Sequence, residues 1–275
     1  MWTLSGFADE ISPDLDEQLA VVTDLGLKYI EFRSAWDVNV LDLDGEQLRR
    51  AKGALTASGV RVSSIGSPIG KISISDDNGP HLERMKHALE VAEFLEAPYI
   101  RIFSYFIPEG DDPDDYRDEV ISRMADLAAV AEGSGITLVH ENEKEIYGDI
   151  PRRCLEIVRA VDSPALKLTW DNANFVQCGV RPYTEGYPLL SPHVDYLQVK
   201  DARFADGVVV PAGAGDGQFR ESMRAFAAAG FEGFASLEPH LQLGHALGGF
   251  SGPENWRRAH AAFVRVLREE GIAYA

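Results

Sequence analysis

The feature that most constrains the fold of this chain is a regular alternation of short β-rich runs with segments of helical periodicity. Eight such runs recur about every 33 residues, which is the length of one strand–helix unit. No Pro- or Ser-rich linker interrupts the pattern, so we expect a single domain over residues 1–275. The predicted strands cover residues 3–7, 29–33, 60–65, 99–104, 137–141, 165–171, 194–199 and 233–238.

Helical segments separate these strands, and eight strand–helix units in one chain favour a (β/α)8 TIM barrel of the α/β class. A doubly wound sheet has the same local pattern, but it needs a glycine fingerprint after its first strand, and residues 8–13 contain none. The connection over 171–194 is rich in Pro and Gly and lacks a long helix. The predicted helices cover residues 15–25, 45–58, 82–95, 116–132, 152–161, 220–229 and 255–269.

A glycine-rich run at residues 213–217 lies late in the chain, and its spacing is not that of a dinucleotide-binding loop. We interpret it as a loop between a strand and a helix. Its backbone amides, with Asp216 as a cap, offer a second interpretation as an anion site.

The charge of the chain bears on its partners. Its 26 Lys+Arg residues stand against 44 Asp+Glu residues, and a net charge of -18 disfavours binding to a nucleic-acid backbone. No apolar run approaches the ~18 residues that a membrane span needs, and the N-terminus lacks a signal-peptide pattern. We therefore expect a cytoplasmic protein that binds neither nucleic acid nor membrane.

The last four predicted strands each carry an oxygen donor near the carboxyl end: Glu141, Asp171, Gln198 and Glu238. Because side chains alternate along a strand, all four can point to the barrel axis and converge. Three neighbouring carboxylates repel one another unless a cation lies among them. An all-oxygen set suits Mn2+ or Mg2+ better than Zn2+, so one divalent ion is predicted. The alternative is that each acid pairs with a nearby arginine.

Other polar residues at or beyond strand ends are candidates for contacting a substrate: Ser67, Arg101, Lys200 and His240. Lys200 can steady an oxyanion or a phosphate, or form a salt bridge to one of the acids. His240 can contact the substrate or be a hydrogen-bonded loop residue. Alternation places Arg101 and Glu31 inside the barrel, where they need partners.

These residues lie in motifs that resemble the sugar phosphate isomerase/epimerase family, which has a xylose isomerase-like barrel. The resemblance spans nearly the whole chain. It implies a single divalent ion held by Glu141, Asp171, Gln198 and Glu238. Most relatives have His at position 198, whereas hydroxypyruvate isomerase-like relatives have Gln, which predicts weaker metal binding and less tolerance for Zn2+. The motifs are Gly-Phe-Ala-Asp-Glu (6–10), Tyr-Ile-Glu-Phe-Arg (29–33), Ser-Ile-Gly-Ser-Pro-Ile-Gly-Lys (64–71), Glu-Asn (141–142), Trp-Asp-Asn-Ala-Asn-Phe (170–175), Val-Lys-Asp-Ala (199–202), Pro-Ala-Gly-Ala-Gly-Asp-Gly (211–217) and Ser-Leu-Glu-Pro-His (236–240).

The resemblance also implies an activity: isomerisation or epimerisation of a sugar, a sugar phosphate or a small hydroxy-carbonyl compound. A proton is removed next to a carbonyl, and a cation stabilises the resulting enediolate. Glu141 and Glu238 are then the acid–base pair. Arg203 stands where related epimerases contact substrate oxygens, and Asn174 stands where ketose 3-epimerases have a His. Similar proteins form homodimers or homotetramers.

Three other functions fit parts of the pattern. A dehydratase acting on a keto-inositol or a dehydroshikimate-like compound begins with the same proton removal. Apurinic-site endonucleases share the barrel, but they bind three metals through several histidines, and Ser67 and Asn174 occupy positions where such ligands are needed. A barrel that has lost activity and only binds ligands is favoured by Gln198.

Overall fold

The computed structural model describes the backbone of residues 1–245 and 248–275, and the side chains of residues 1–241 and 250–275. Eight parallel strands form a nearly closed barrel with helices between them, which confirms the predicted TIM-barrel fold. The barrel strands are β1 (Thr3–Gly6), β2 (Tyr29–Phe32), β3 (Arg61–Gly66), β4 (Tyr99–Ile102), β5 (Thr137–Glu141), β6 (Leu166–Asp171), β7 (Val194–Val199) and β8 (Phe234–Leu237).

Strand pairing fixes the relative depth of the residues inside the barrel. The sheet runs in the order β1-β8-β7-β6-β5-β4-β3-β2, and a bridge from Phe7 to Glu31 links its two edges. Asp171 lies opposite Gln198, and Gln198 lies opposite Ser236. The carboxyl ends of β5 to β8 therefore present their side chains at neighbouring levels of one barrel mouth.

Helices surround the barrel, and the connection over 171–194 consists of short pieces, as its composition predicted. They include a π-helical turn at Pro182–Gly186. In the described residues, no helix is long and apolar enough to cross a membrane. The α-helices are α1 (Leu15–Asp24), α2 (Gly45–Ser58), α3 (Asn78–Leu95), α4 (Arg117–Ala131), α5 (Pro151–Val161), α6 (Asn172–Gln177), α7 (Tyr187–Leu190), α8 (Phe219–Ala228) and α9 (Gly252–Glu269).

Alternation along the strands separates two buried layers. Leu138, Leu168 and Leu197 belong to the apolar core between strands and helices. Tyr196 points into the barrel, where its hydroxyl lies 2.9 Å from the Ser63 hydroxyl of β3. The apolar layer holds the helices on the barrel, and the polar layer leads up to the strand ends where the candidate site lies.

The glycine-rich loop at residues 213–217 binds a carboxylate of the protein itself, that of Asp201. The buried Asp201 carboxylate accepts hydrogen bonds from the backbone N–H groups of Gly213, Gly215 and Gly217 at 2.9–3.1 Å, and from that of Ala202 at 2.9 Å. A Cβ atom at Gly215 would lie 2.4 Å from the Ala202 carbonyl oxygen. The interpretation of this loop as a site for an external anion was therefore wrong, because an internal carboxylate uses these amides.

Removing this carboxylate is expected to destabilise the fold. An Asp201→Ala substitution leaves buried N–H groups without acceptors, so the free energy of unfolding should fall by roughly 3 kcal/mol in urea denaturation. Asp206 is an exposed acid that pairs with Arg203 nearby. An Asp206→Ala control removes only an exposed ion pair and should leave the free energy of unfolding close to that of the unmodified protein. Equal losses in the two variants would contradict the role assigned to Asp201.

Candidate metal centre

Four oxygen donors meet at the mouth of the barrel. Glu141 and Asp171 end β5 and β6, Gln198 lies in β7, and Glu238 directly follows β8. All four side chains are buried. One carboxylate oxygen from each of Glu141, Asp171 and Glu238 lies within 4.8 Å of the other two. The structure thus brings together the residues that the strand-end pattern selected.

The Gln198 amide can serve this cluster in either of its two orientations. One terminal atom lies 3.0 and 3.2 Å from the two carboxylate oxygens of Glu141. If that atom is the nitrogen, it donates hydrogen bonds to the carboxylate. If it is the oxygen, it faces the carboxylate across a proton or a metal ion, while Nε2 donates to Glu31 at 3.5 Å. Only the second orientation would allow Gln198 to act as a metal ligand.

Two buried cations already contact the carboxylates. The Lys200 ammonium lies 2.8 Å from Glu238 Oε2 and 3.2 Å from Asp171 Oδ2. Arg101 Nη1 donates to Glu141 Oε2 at 3.1 Å. Lys200 therefore forms the salt bridge that the sequence left open as an alternative to a substrate contact, whereas Arg101 pairs with Glu141 and not with Glu31.

Burial and these contacts shift the pKa values of the three acids in different directions. Burial raises the pKa of Glu141, and it raises that of Asp171 to about 7, although Arg101 and Lys200 oppose the shifts. For Glu238 burial acts in the same direction, but Lys200 and His240 outweigh it and hold the pKa well below its usual range. Without a further cation, the cluster therefore retains protons near neutral pH.

The loop after β6 holds two of the donors in place. Asp171 caps α6, since its Oδ1 accepts the backbone N–H of Asn174 at 2.8 Å. The Asn174 amide donates to Glu141 Oε1 at 2.9 Å. Asn142 pairs with the backbone of Asp171 through two hydrogen bonds of 3.0 Å. Asn174 thus orients the carboxylates of two neighbouring strands.

A second group of charges flanks Glu238, and the sequence analysis missed most of it. Arg33 Nε lies 2.7 Å from Asp9, and its Nη1 lies 3.5 Å from Glu238 Oε1. His240 Nε2 lies 3.2 Å from both Glu238 Oε1 and Glu10 Oε1. Arg33 comes two residues after the inward-facing Glu31, so strand alternation was a usable signal for it. The short 3-10 turn that carries Asp9 and Glu10 gave no such signal.

The buried charges fit a divalent cation. Among the described residues, six carboxylates lie here with three permanently charged bases, so full ionisation of the acids would leave three negative charges uncompensated. A divalent ion between Glu141, Asp171, Gln198 and Glu238 would offset two of these charges and would have oxygen ligands only. The described acids are Asp9, Glu10, Glu31, Glu141, Asp171 and Glu238, and the described bases are Arg33, Arg101 and Lys200.

Two of the candidate substrate-binding residues, Ser67 and Arg203, do not contact the carboxylate cluster directly. The Ser67 hydroxyl donates to the Arg101 carbonyl oxygen at 2.5 Å, and the Ser67 carbonyl oxygen accepts from the Arg101 guanidinium at 3.3 Å. Ser67 therefore holds Arg101 in place. Arg203 is exposed and pairs with Asp206 at 2.6 Å, so the structure does not bring it into the buried cluster.

Comparison with known protein families gives one match, which covers most of the chain. Residues 19–267 match a family model described as xylose isomerase-like TIM barrel. A comparison with curated proteins found no match.

Solved structures with the same fold are numerous, at low sequence identity. A D-tagatose 3-epimerase-like protein is 16% identical with a TM-score of 0.79, covering 98% of both chains. The IOLI protein, solved with a zinc atom, is 16% identical with a TM-score of 0.80, covering 98% of this chain and 99% of that one. A xylose isomerase-like TIM barrel protein from Mycobacterium smegmatis in complex with magnesium is 22% identical with a TM-score of 0.67, covering 97% of both. Identities this low establish the shared fold alone.

The buried Glu31 predicts a pH-dependent loss of stability in the metal-free protein. Burial raises its pKa from 4.5 to about 7, so the folded state keeps a proton that the unfolded state releases. The free energy of unfolding should therefore fall as pH rises from 4.5 to 7, by on the order of 3 kcal/mol relative to Glu31→Gln. Urea denaturation of both proteins at pH 5 and pH 8 measures this. A stability difference that stays constant between the two pH values would contradict it.

Proposed function

The chain belongs to the xylose isomerase-like TIM barrel family, and we propose that it is a divalent-metal-dependent isomerase or epimerase of a sugar, sugar phosphate or small hydroxy-carbonyl compound. The observation that carries the proposal is the convergence of Glu141, Asp171 and Glu238, buried at the barrel mouth together with Gln198. Active sites of this fold lie at that end of the barrel. The family relationship makes sugar chemistry the first class to test.

The metal ion proposed for this centre is Mn2+ or Mg2+. The donors are three carboxylates and an amide oxygen, and hard cations prefer such a set. When bound, the ion supplies positive charge beside the substrate oxygens, where proton removal creates negative charge. The other stabilising charge comes from Lys200, whose buried ammonium touches two of the proposed ligands.

Glu141 and Glu238 are proposed as the acid–base pair. They come from β5 and from the end of β8, so they approach the barrel axis from different sides. In the metal-free protein, Lys200 and His240 favour the ionised form of Glu238, whereas burial favours the protonated form of Glu141. An ion bound by both residues requires both carboxylates to be ionised. Each would then bind the ion through one oxygen and move a proton through the other, one residue as base and the other as acid.

Neighbouring side chains fix both carboxylates for proton transfer. Asn174 and Arg101 donate to the two oxygens of Glu141 at 2.9 and 3.1 Å. Lys200 donates to Glu238 Oε2 at 2.8 Å. These hydrogen bonds hold each carboxylate in one orientation, so less conformational entropy is lost when it approaches the substrate proton.

Deuterium uptake tests the reaction class. The protein, loaded with Mn2+ or Mg2+, is incubated in D2O with candidate ketoses and keto-polyols, and the masses of the products are measured by mass spectrometry. We expect uptake of one deuterium without loss of water. Uptake with loss of water would identify a dehydratase, and no uptake with any substrate would contradict both. Chelation of the metal should abolish the exchange.

Substitution of the acid–base pair supplies the second part of this test. Glu141→Gln and Glu238→Gln should each lower the exchange rate on the order of 100-fold or more. Glu232 is exposed at the opposite end of β8, where it pairs with the N-terminus, and Glu232→Gln should leave the rate unchanged. Thermal unfolding checks that all three variants are folded. Unchanged exchange in both site variants would overturn the assignment.

A further inference from the structure

A second cluster of metal-ligating side chains adjoins the proposed metal centre. Glu10, Glu238 and His240 each present one ligand atom within 4.8 Å of the other two. Glu10 is fully buried in the 3-10 turn after β1, far along the chain from its two partners. The acid–base scheme uses Glu238 but gives no role to the Glu10 carboxylate.

The contacts in this cluster have the spacing of ligands around a metal ion. His240 Nε2 lies 3.2 Å from Glu10 Oε1 and 3.2 Å from Glu238 Oε1. Neither Glu10 Oε1 nor His240 Nε2 has a hydrogen-bond partner among the described residues. An ion at about 2.1 Å from each atom would see ligands 3.2 Å apart at an angle of about 100°, between octahedral and tetrahedral values.

The rest of the Glu10 carboxylate holds the cluster in this arrangement. Glu10 Oε2 accepts the backbone N–H of His240 at 2.8 Å and the Ser251 hydroxyl at 2.9 Å. His240 has a φ of 47°, which is unusual for a residue other than glycine. One oxygen of Glu10 thus fixes the backbone on both sides of a loop, and the other faces the His240 ring.

We propose that Glu10, His240 and Glu238 form a second metal site, which binds a nitrogen-preferring ion such as Zn2+. An imidazole with two carboxylates suits Zn2+, whereas the all-oxygen centre suits Mn2+ or Mg2+. Glu238 connects the two sites: its Oε1, which faces His240, would bind the second ion, and its Oε2, which faces Lys200, would remain with the first centre and the proposed proton transfer. The second site rests on the proposed function only in sharing this residue.

The nearby Arg33 leaves the oxygens of the second site able to coordinate. Its short contact, 2.7 Å, is to Asp9. Its distances to Glu238 Oε1 and Glu10 Oε1 are 3.5 and 3.9 Å, longer than charge-assisted hydrogen bonds. Arg33 therefore interacts most strongly with Asp9 and only at longer range with the two glutamates.

Metal stoichiometry tests this proposal independently of turnover. Metal-free full-length protein is equilibrated with excess Mn2+ and Zn2+ together, freed of unbound ions by gel filtration, and analysed by inductively coupled plasma mass spectrometry. We expect one equivalent of Mn2+ and one of Zn2+, two in all, in the unmodified protein, and Mn2+ alone in Glu10→Gln and in His240→Asn. Glu143 pairs with Lys71 outside both clusters, so Glu143→Gln should retain two.

X-ray absorption at the zinc edge of the unmodified protein gives a readout that needs no variant to fold. The described ligands of the first centre are all oxygens, so scattering from one imidazole indicates His240, and the signal should disappear in His240→Asn. One equivalent that is lost in Glu141→Gln but kept in Glu10→Gln would overturn the second site and leave the proposed function standing. Two equivalents in every variant, or no imidazole scattering, would also overturn it. No bound zinc would overturn the second site, and if Mn2+ also fails to bind, the proposed metal centre fails with it.

Discussion

The excess of buried negative charge at the carboxyl end of the barrel is the constraint on which the rest of the site depends. Carboxylates removed from water stay ionised only beside positive charge, and otherwise they take up protons. Lys200, Arg101 and Arg33 compensate part of this charge through short ion pairs. The raised pKa values of Glu141 and Asp171 show that the compensation is incomplete. A divalent cation would complete it, which is why we propose a metal site among these residues.

Within one barrel strand, some residues pack in the apolar core and others carry the polar groups of the candidate site. In β5, Leu138 packs against the helices while Glu141 reaches the mouth. The same alternation separates Leu168 from Asp171 in β6. The apolar layer stabilises the fold, so the polar layer can hold unfavourable charges close together. The buried Asp201 carboxylate differs from these acids, because backbone amides and not cations stabilise it. Its hydrogen bonds hold the glycine-rich loop in place.

Much of this arrangement was predictable from the sequence, and the exceptions have a common cause. Strand alternation with a fixed repeat predicted the barrel, and it placed Glu141, Asp171, Gln198 and Glu238 at one mouth because strand periodicity is local. The conformation of a loop, by contrast, is not determined by a local sequence period. The capture of the glycine-rich loop by Asp201 and the approach of Glu10 to His240 both depend on contacts between segments that are separated along the chain. Sequence patterns carry little information about such contacts.

The central claim is that a divalent cation binds among the strand-end oxygens, and anomalous diffraction tests it most directly. Crystals grown with Mn2+ should give an anomalous difference peak at about 2.0–2.3 Å from carboxylate oxygens of Glu141, Asp171 and Glu238 and from the amide oxygen of Gln198. The Lys200 ammonium should then keep its contact with Glu238 and lie farther from Asp171. A mouth that shows no peak at saturating Mn2+, with Lys200 still bridging Asp171 and Glu238, would contradict the account.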